Sequence, residues 1–282
     1  MKTTGHRLAV LLPYRPAPAR MSVRMSVRIG PLPAAILCFC AIMAASTAWA
    51  QAGPTILSPL QVIVKWSPLL LRGFAFNILI SLLAMLLGTI AGLGLGLALL
   101  SESRLLAAVS WLVTQFFRNA PWLVLLFFVM FLVPFQLTLF KTTVPLPDWI
   151  KATVGFALPV MANVAEVVRG AVRSIPSTQW EAAESLSFTR RQTMWLIMLP
   201  QCIKRMLPPW MNIYAIVAMS TVLASIVGVS EMLTLTAQVH AAEGGRPELF
   251  APLYGFALLC FFLYCYPINL WTARLERRFR IR

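Results

Sequence analysis

Between Phe74 and Leu100 the sequence carries no charged side chain. A helix needs roughly 20 apolar residues to cross a bilayer, and inside lipid every backbone polar group must be bonded within the protein. This stretch is long enough, so it predicts a membrane-spanning helix. Further apolar stretches follow at about 121–140, about 150–172, from Pro208-Pro209 to about Val229, and from about Leu249 to Trp271. The composition agrees: 59% of residues are hydrophobic and 12% are charged, against about 25% charged in a soluble domain. The expected fold is an all-α integral membrane protein with five spanning helices and little soluble mass.

The formal net charge is +15. In a soluble protein that excess would point to nucleic acid, but here the basic residues cluster at the ends of apolar stretches and at both termini. The distribution follows the positive-inside rule and favours an anionic lipid surface, not a nucleic acid, as the partner. Arg104, Arg118, Arg173, Arg190, Arg191, Lys204, Arg205 and the tail from Arg274 to Arg282 mark one side, read as cytoplasmic. Lys65, Lys141 and Arg246 mark the sparser, external side. Five helices then run from an external start to a cytoplasmic C-terminus.

Residues 1–50 form a basic n-region followed by a signal-like or anchor segment. Lys2, Arg7, Arg15, Arg20, Arg24 and Arg28 precede an apolar core from Ile36 to Ala45, and Ala48-Trp49-Ala50 has the spacing of a signal-peptidase site. A cleaved signal, an uncleaved anchor helix and a true start at Met21 or Met25 all fit these residues. Residues 51–68 hold Pro54, Pro59 and Pro68 and read as an extended external connector. The membrane domain covers 69–276, with a cytoplasmic loop at 176–200, and 277–282 is a basic tail.

Within the first span, Ala84, Gly88, Gly92 and Gly96 recur every fourth residue. Such a stripe lets helix backbones approach closely in lipid, either within one subunit or between two. Residues 105–117 read as an elbow helix at the membrane interface, anchored by Trp111. The third span holds Asn163, Glu166 and Arg169. Ionisable groups at membrane depth face protein or water. Glu166 therefore either pairs with Arg169 at i,i+3 or lines a pathway. The fourth span holds Ser220 and Thr221, whose hydroxyls either bond to the preceding turn or face the pathway. Residues 230–248 read as a polar loop. The five cysteines are odd in number and show no CxxC spacing, so they are read as small buried hydrophobes.

The most patterned polar stretch runs from Glu181 to Pro200. Thr178 with Glu181, and Thr189 with Gln192, read as two capping boxes, so two short helices should meet near Ser187-Phe188. Small Ala182 and Ala183 beside Glu181 and Glu184 allow close approach of a second surface, with carboxylates available to basic groups.

Glu181-Ala182-Ala183, the small Ser187 and Ile197-x-Leu199-Pro200 resemble the EAA loop of ABC importer permeases. Phe117-Arg118-Asn119-Ala120-Pro121, Ala165 to Gly170, Ser174-Ile175-Pro176 and Leu199-Pro200-Gln201 resemble the polar amino-acid branch, and they fall in order across most of the chain. The resemblance implies a five-helix, MetI-like transmembrane domain. It also implies partners: an ABC ATP-binding subunit that docks on the loop, a second permease subunit in a homo- or heterodimer, and an external solute-binding protein. Ser187 departs from the glycine usual in the family. Met219-Ser220-Thr221-Val222 stands where relatives commonly carry Lys-Asp-Thr-Ser, and Asn163 stands where an aromatic is frequent. A less charged pathway follows, with Glu166 as the acidic contact for a cationic group on a polar amino acid or related amine-containing solute.

The chain contains no G-x-x-x-x-G-K-[ST] phosphate loop and no H-E-x-x-H, and its two histidines are His6 and His240. No cofactor is expected in this chain; ATP and Mg would sit on the partner ATPase. The competing reading is an intramembrane enzyme or a non-transporting assembly subunit. The polar groups available to an enzyme at membrane depth are few: Asn163, Glu166, Ser220 and Thr221.

Overall fold

The computed structural model describes residues 57–139 and 142–279. The basic N-terminal region, the signal-like or anchor segment, Lys141 and the end of the basic tail lie outside these residues. The described chain forms α1 (Pro59–Ala98), α2 (Arg104–Asn119) and α3 (Trp122–Leu132), then a hairpin of β1 (Gln136–Leu139) and β2 (Thr142–Pro145). After it come α4 (Asp148–Arg173), α5 (Ser177–Ser185), a single turn α6 (Arg190–Gln192), a π-helical turn Thr193–Met198 and α7 (Leu199–Ser220). A 3₁₀ turn (Thr221–Ser225), α8 (Met232–Ala242) and α9 (Pro247–Phe279) complete it. Four helical stretches are long and apolar enough to span a membrane among the described residues, and the bent pair α2–α3 passes the same test only when its two helices are taken together, as a broken span or a re-entrant loop.

The α1–α4 contact is the centre of the core. Gly88, Gly92 and Gly96 of α1 face Val160, Val164 and Val168 of α4, and Ala157, Met161 and Ala165 contribute backbone carbonyls to the same seam. A Cβ at Gly88 would lie 2.4 Å from Val160 Cγ1, and one at Gly92 would lie 2.7 Å from the Met161 carbonyl oxygen. The small-residue stripe is thus used inside one subunit. Ile80, Ala84, Leu126, Phe156 and Val217 extend this core to α3 and α7.

Four expectations are corrected. The connector expected at 51–68 is helical from Pro59 onward. Ser58 and Gln61 form a reciprocal capping box, and Pro68 is accommodated inside α1, where the Ser67 hydroxyl donates to the Val64 carbonyl that the proline leaves without its N–H. The span expected to reach residue 140 ends at Leu132. Val133 is extended because it precedes Pro134, and the hairpin follows. α2 and α3 meet at 108°, at the extended Ala120 and Pro121. Pro208 and Pro209 do not open the fourth span. They lie inside α7, whose first turns are held by Met198 and Cys202 packed on Ala171, Val172 and Ile175. Tertiary packing outweighs the missing backbone bonds there.

The fourth correction concerns the polar loop expected at 230–248, which contains α8. Gly228, at φ +88°, makes the turn before it, and Gly244 and Gly245 make the turn after it. Met232 and Val239 pack with Val62, Ile63, Leu70, Leu249 and Leu253. The Glu243 carboxylate at the end of α8 accepts bonds from Lys65 Nζ and Trp66 Nε1, both 2.7 Å, and so clamps α8 to α1. Arg246 extends the clamp by donating to the Leu57 carbonyl at 3.2 Å.

Two outcomes are expected. Gly92→Ala should lower the thermal unfolding temperature in detergent, with an overpacking cost on the order of 1–3 kcal/mol. Gly94→Ala, where no atom lies within 4 Å of a new Cβ, should not. The second concerns acid. The hydrogen bond from Lys65, then that from Trp66, holds the Glu243 carboxyl below its ordinary range, with burial opposing. A depressed folded-state pKa contributes stability that is complete above the unfolded value and lost as pH falls through the folded one. Glu243→Gln should therefore unfold at a lower temperature than the parent at pH 7, and the gap should close below about pH 4, in the range of an unperturbed glutamate and under it. A gap that persists unchanged at low pH would remove the ionic contribution.

Candidate functional site

The loop joining α4 to α7 is built as two short helices meeting at a sharp turn. α5 begins after Pro176 with no side-chain cap, so the expected Thr178–Glu181 capping box does not form. The second box does: the Thr189 hydroxyl accepts from the Gln192 N–H at 3.3 Å, and Gln192 Oε1 accepts from the Thr189 N–H at 2.8 Å. Between them the Phe188 N–H donates to the Ala183 carbonyl at 3.1 Å and the Ser187 N–H to the Glu184 carbonyl at 2.8 Å. This pair of bonds is a Schellman motif, and its αL position is Ser187 at φ +59°, the one non-glycine residue at positive φ among the described residues.

That turn decides which side chains the loop presents. Ala183 is buried, while Glu181, Ala182 and Glu184 are exposed on α5. Leu199 is half-buried and Pro200 exposed at the start of α7. Trp180, Glu184, Phe188, Arg190 and Thr193 outline a recess of about 470 Å³ beside the turn. Arg190 Nη1 reaches Glu102 Oε1 at 2.7 Å and links the loop to the α1–α2 connection. Both side chains are exposed, so this link contributes little stability.

The pathway residues expected from the sequence separate into two places. Asn163 and Glu166 line a cavity of about 400 Å³ between α4 and α7 at the loop end, together with Arg118, Ser174, Arg205 and Asn212. Glu166 is not a free acid. Arg169 grips it at both oxygens, with Nε at 3.0 Å from Oε2, and Arg118 Nη1 lies 3.7 Å from Oε1. The i,i+3 pair is formed and its carboxylate still borders the cavity. The charge expected for a cationic solute is therefore already answered by protein.

Ser220 and Thr221 do not line this cavity. Ser220 donates to the Ile216 carbonyl. Thr221 is fully buried, donates to the Ala218 carbonyl and accepts from Asn77 Nδ2 at 3.1 Å. In this conformation Thr221 belongs to a network inside the protein, because Asn77 competes for its oxygen. Met219, their neighbour, faces a mostly apolar groove of about 490 Å³ lined by Tyr254, Phe261 and Tyr266.

That internal network escaped sequence reasoning. Asn77 Nδ2 also donates to Glu231 Oε2 at 2.9 Å, and Asn77 Oδ1 accepts from the Met232 N–H at 3.1 Å. Glu231 is fully buried and caps α8 by accepting from the Thr234 N–H at 2.9 Å. It joins α1, the 3₁₀ turn and α8. Asn77 is a polar residue in the middle of an uncharged span, which was the available signal. Glutamate at an N-cap falls outside the usual Ser, Thr, Asp and Asn set.

Long apolar helices around a glycine seam, with a structured polar loop between two of them, define a multi-pass membrane protein. The family described as binding-protein-dependent transport system inner membrane component matches residues 84–281. The chain belongs to this family. It is 32% identical over 219 residues to the probable amino-acid ABC transporter permease protein YckA of Bacillus subtilis, covering 78% of this chain and 92% of that one. The L-cystine transport system permease protein TcyB of the same organism is 29% identical over 212 residues, covering 75% and 86%. Among solved structures, an amino acid ABC transporter superposes with a TM-score of 0.66 at 23% identity, over 77% of this chain and 96% of the other. The inward-facing methionine transporter MetNI superposes at 0.60 with 16% identity, over 77% and 99%. These superpositions establish the MetI-like fold of ABC importer membrane domains.

Glycine at the αL position avoids the Cβ strain that serine carries there, a difference of about 1 kcal/mol. Ser187→Gly is expected to raise amide-exchange protection across 177–188 and to leave the rest of the fold unchanged. Lower protection would mean that the serine hydroxyl contributes more than the backbone strain removes.

Proposed function

We propose that this chain is the permease subunit of an ATP-driven importer for a polar amino acid or a related small amine-containing solute. The observation that carries the reading is the 177–198 loop, a two-helix turn that offers Glu181 and Ala182 outward while Ala183 is buried beneath it. A separate ATP-binding subunit docks against this face, with ATP and Mg held on that partner. A second permease subunit completes the pathway, and an external binding protein delivers the solute. The basic residues flanking the loop, Arg173, Arg190, Arg191, Lys204 and Arg205, support a cytoplasmic position for it and for the C-terminus.

The mechanism follows from what the loop is attached to. α5 hangs from α4 through Ile175 and Pro176, and the π turn feeds directly into α7, so a displacement of the loop is transmitted to two core helices at once. A partner surface that fits the loop differently with and without ATP biases those helices between two arrangements. Amino-acid solutes are supported by the printed functions of the relatives, which include probable amino-acid and L-cystine permeases.

The coupling role is tested by Glu181→Lys. A reversed charge on the exposed face of α5 is expected to abolish solute uptake and ATPase association, while the variant keeps the parent's elution profile and unfolding temperature. Co-purification from native membranes identifies the ATPase. Uptake that survives the charge reversal would reject Glu181 as a docking residue.

A further inference from the structure

The loop-end cavity carries more positive charge than its own acid can balance. Two arginines, Arg118 and Arg205, line it with one carboxylate, Glu166. Arg169, from the same helix as Glu166, already makes two bonds to that carboxylate. Arg118 is 3.7 Å from it, beyond hydrogen-bonding distance, and its side chain is 41% exposed. Arg205 spends Nη1 on the Ser174 hydroxyl, at 2.7 Å, and on the Ser174 carbonyl. Those acceptors are neutral. They orient the guanidinium without cancelling its charge.

The amides in the lining complement the arginines. Asn163 donates to the Pro159 carbonyl at 2.8 Å, which leaves its own Oδ1 as an acceptor. Asn212 supplies another amide on the α7 wall. A volume of about 400 Å³ lies within the roughly 300–1,000 Å³ of small-molecule sites.

The geometry points to a site where Arg118 and Arg205 take the carboxylate of an amino-acid solute, and where the Asn163 side-chain carbonyl faces its ammonium group. This deepens the permease reading and rests on it. It also reverses the emphasis expected from the sequence. The charge available for recognition is positive, because Arg169 has answered the acid. A zwitterion fits such a lining better than a cation lacking a carboxylate. The anionic group of a phospholipid shares the chemistry, so the experiment must separate the two.

The test uses the purified full-length chain in phosphatidylcholine nanodiscs at low salt. Radiolabelled L-arginine, L-glutamine and L-glutamate are compared with their α-methyl esters by equilibrium dialysis. At least one free acid should bind saturably and its ester should bind about tenfold more weakly or worse, because each lost charge-assisted contact carries roughly that factor. Arg118→Gln and Arg205→Gln should each weaken the acid to a similar extent, and Arg205→Lys should retain part of the affinity. The acid–ester comparison on the unmodified chain does not depend on any variant folding. Equal binding of acid and ester, no binding of any acid, or arginine variants that bind as well as the parent would overturn the assignment. Loss of acid binding when phosphatidylglycerol is added would also overturn it, and would give the site to lipid. None of these results touches ATPase co-purification, so the permease reading stands or falls separately.

Discussion

Everything else in this protein hangs on the contact between α1 and α4. Three glycines in a row at helical spacing bring two backbones together, and valines from the facing helix fill the space that side chains would have taken. In lipid there is little hydrophobic gain from burying one apolar helix against another, so shape and close approach must hold the pair. The seam fixes α4, and α4 in turn carries the Glu166–Arg169 pair, one wall of the loop-end cavity and the stem of the loop. α3 uses the same device at Gly155, where Leu126 sits against the helix backbone.

Polar groups are handled in two ways. At the ends of the bundle they form clamps open to water, as at Glu243 with Lys65 and Trp66. In the interior they form closed sets, as at Asn77, Thr221 and Glu231. The loop-end cavity is intermediate: Glu166 is satisfied, yet two arginines stay accessible. This difference separates structural polarity from polarity free for a ligand, and residue type alone does not disclose it.

Spans and loop were legible in the sequence because they rest on local pattern. Uncharged length marks a spanning helix, every fourth small residue marks a seam, and Thr189 with Gln192 marks a helix start. The loop turn was legible for the same reason, since the Thr189–Gln192 helix start fixes where the preceding helix must have ended. Most of the misreadings involve proline or a polar segment that packs as a helix. Pro68, Pro208 and Pro209 read locally as breaks, but the helices run through them, and at Pro68 the Ser67 hydroxyl takes the Val64 carbonyl. The 230–248 segment reads as loop until α1 supplies an apolar wall for Met232 and Val239. The cavity was half legible: Asn163 and Glu166 were found, whereas Arg118 and Arg205 were assigned only to the positive flank of the membrane. Thr221 was given two readings, and it does bond to the preceding turn at Ala218, while its second partner, Asn77, lies 144 residues earlier and outside any local pattern.

The Asn77–Glu231 bond also bears on how the chain is made. Its two ends are 154 residues apart, so Asn77 emerges from the ribosome and enters the bilayer long before Glu231 has been synthesised. Through that interval the amide has none of the partners it holds in the folded chain. Thr221, Glu231 and the Met232 N–H all come from residues made after the third span, so the first span gains its interior polar contacts only once α7 and α8 exist.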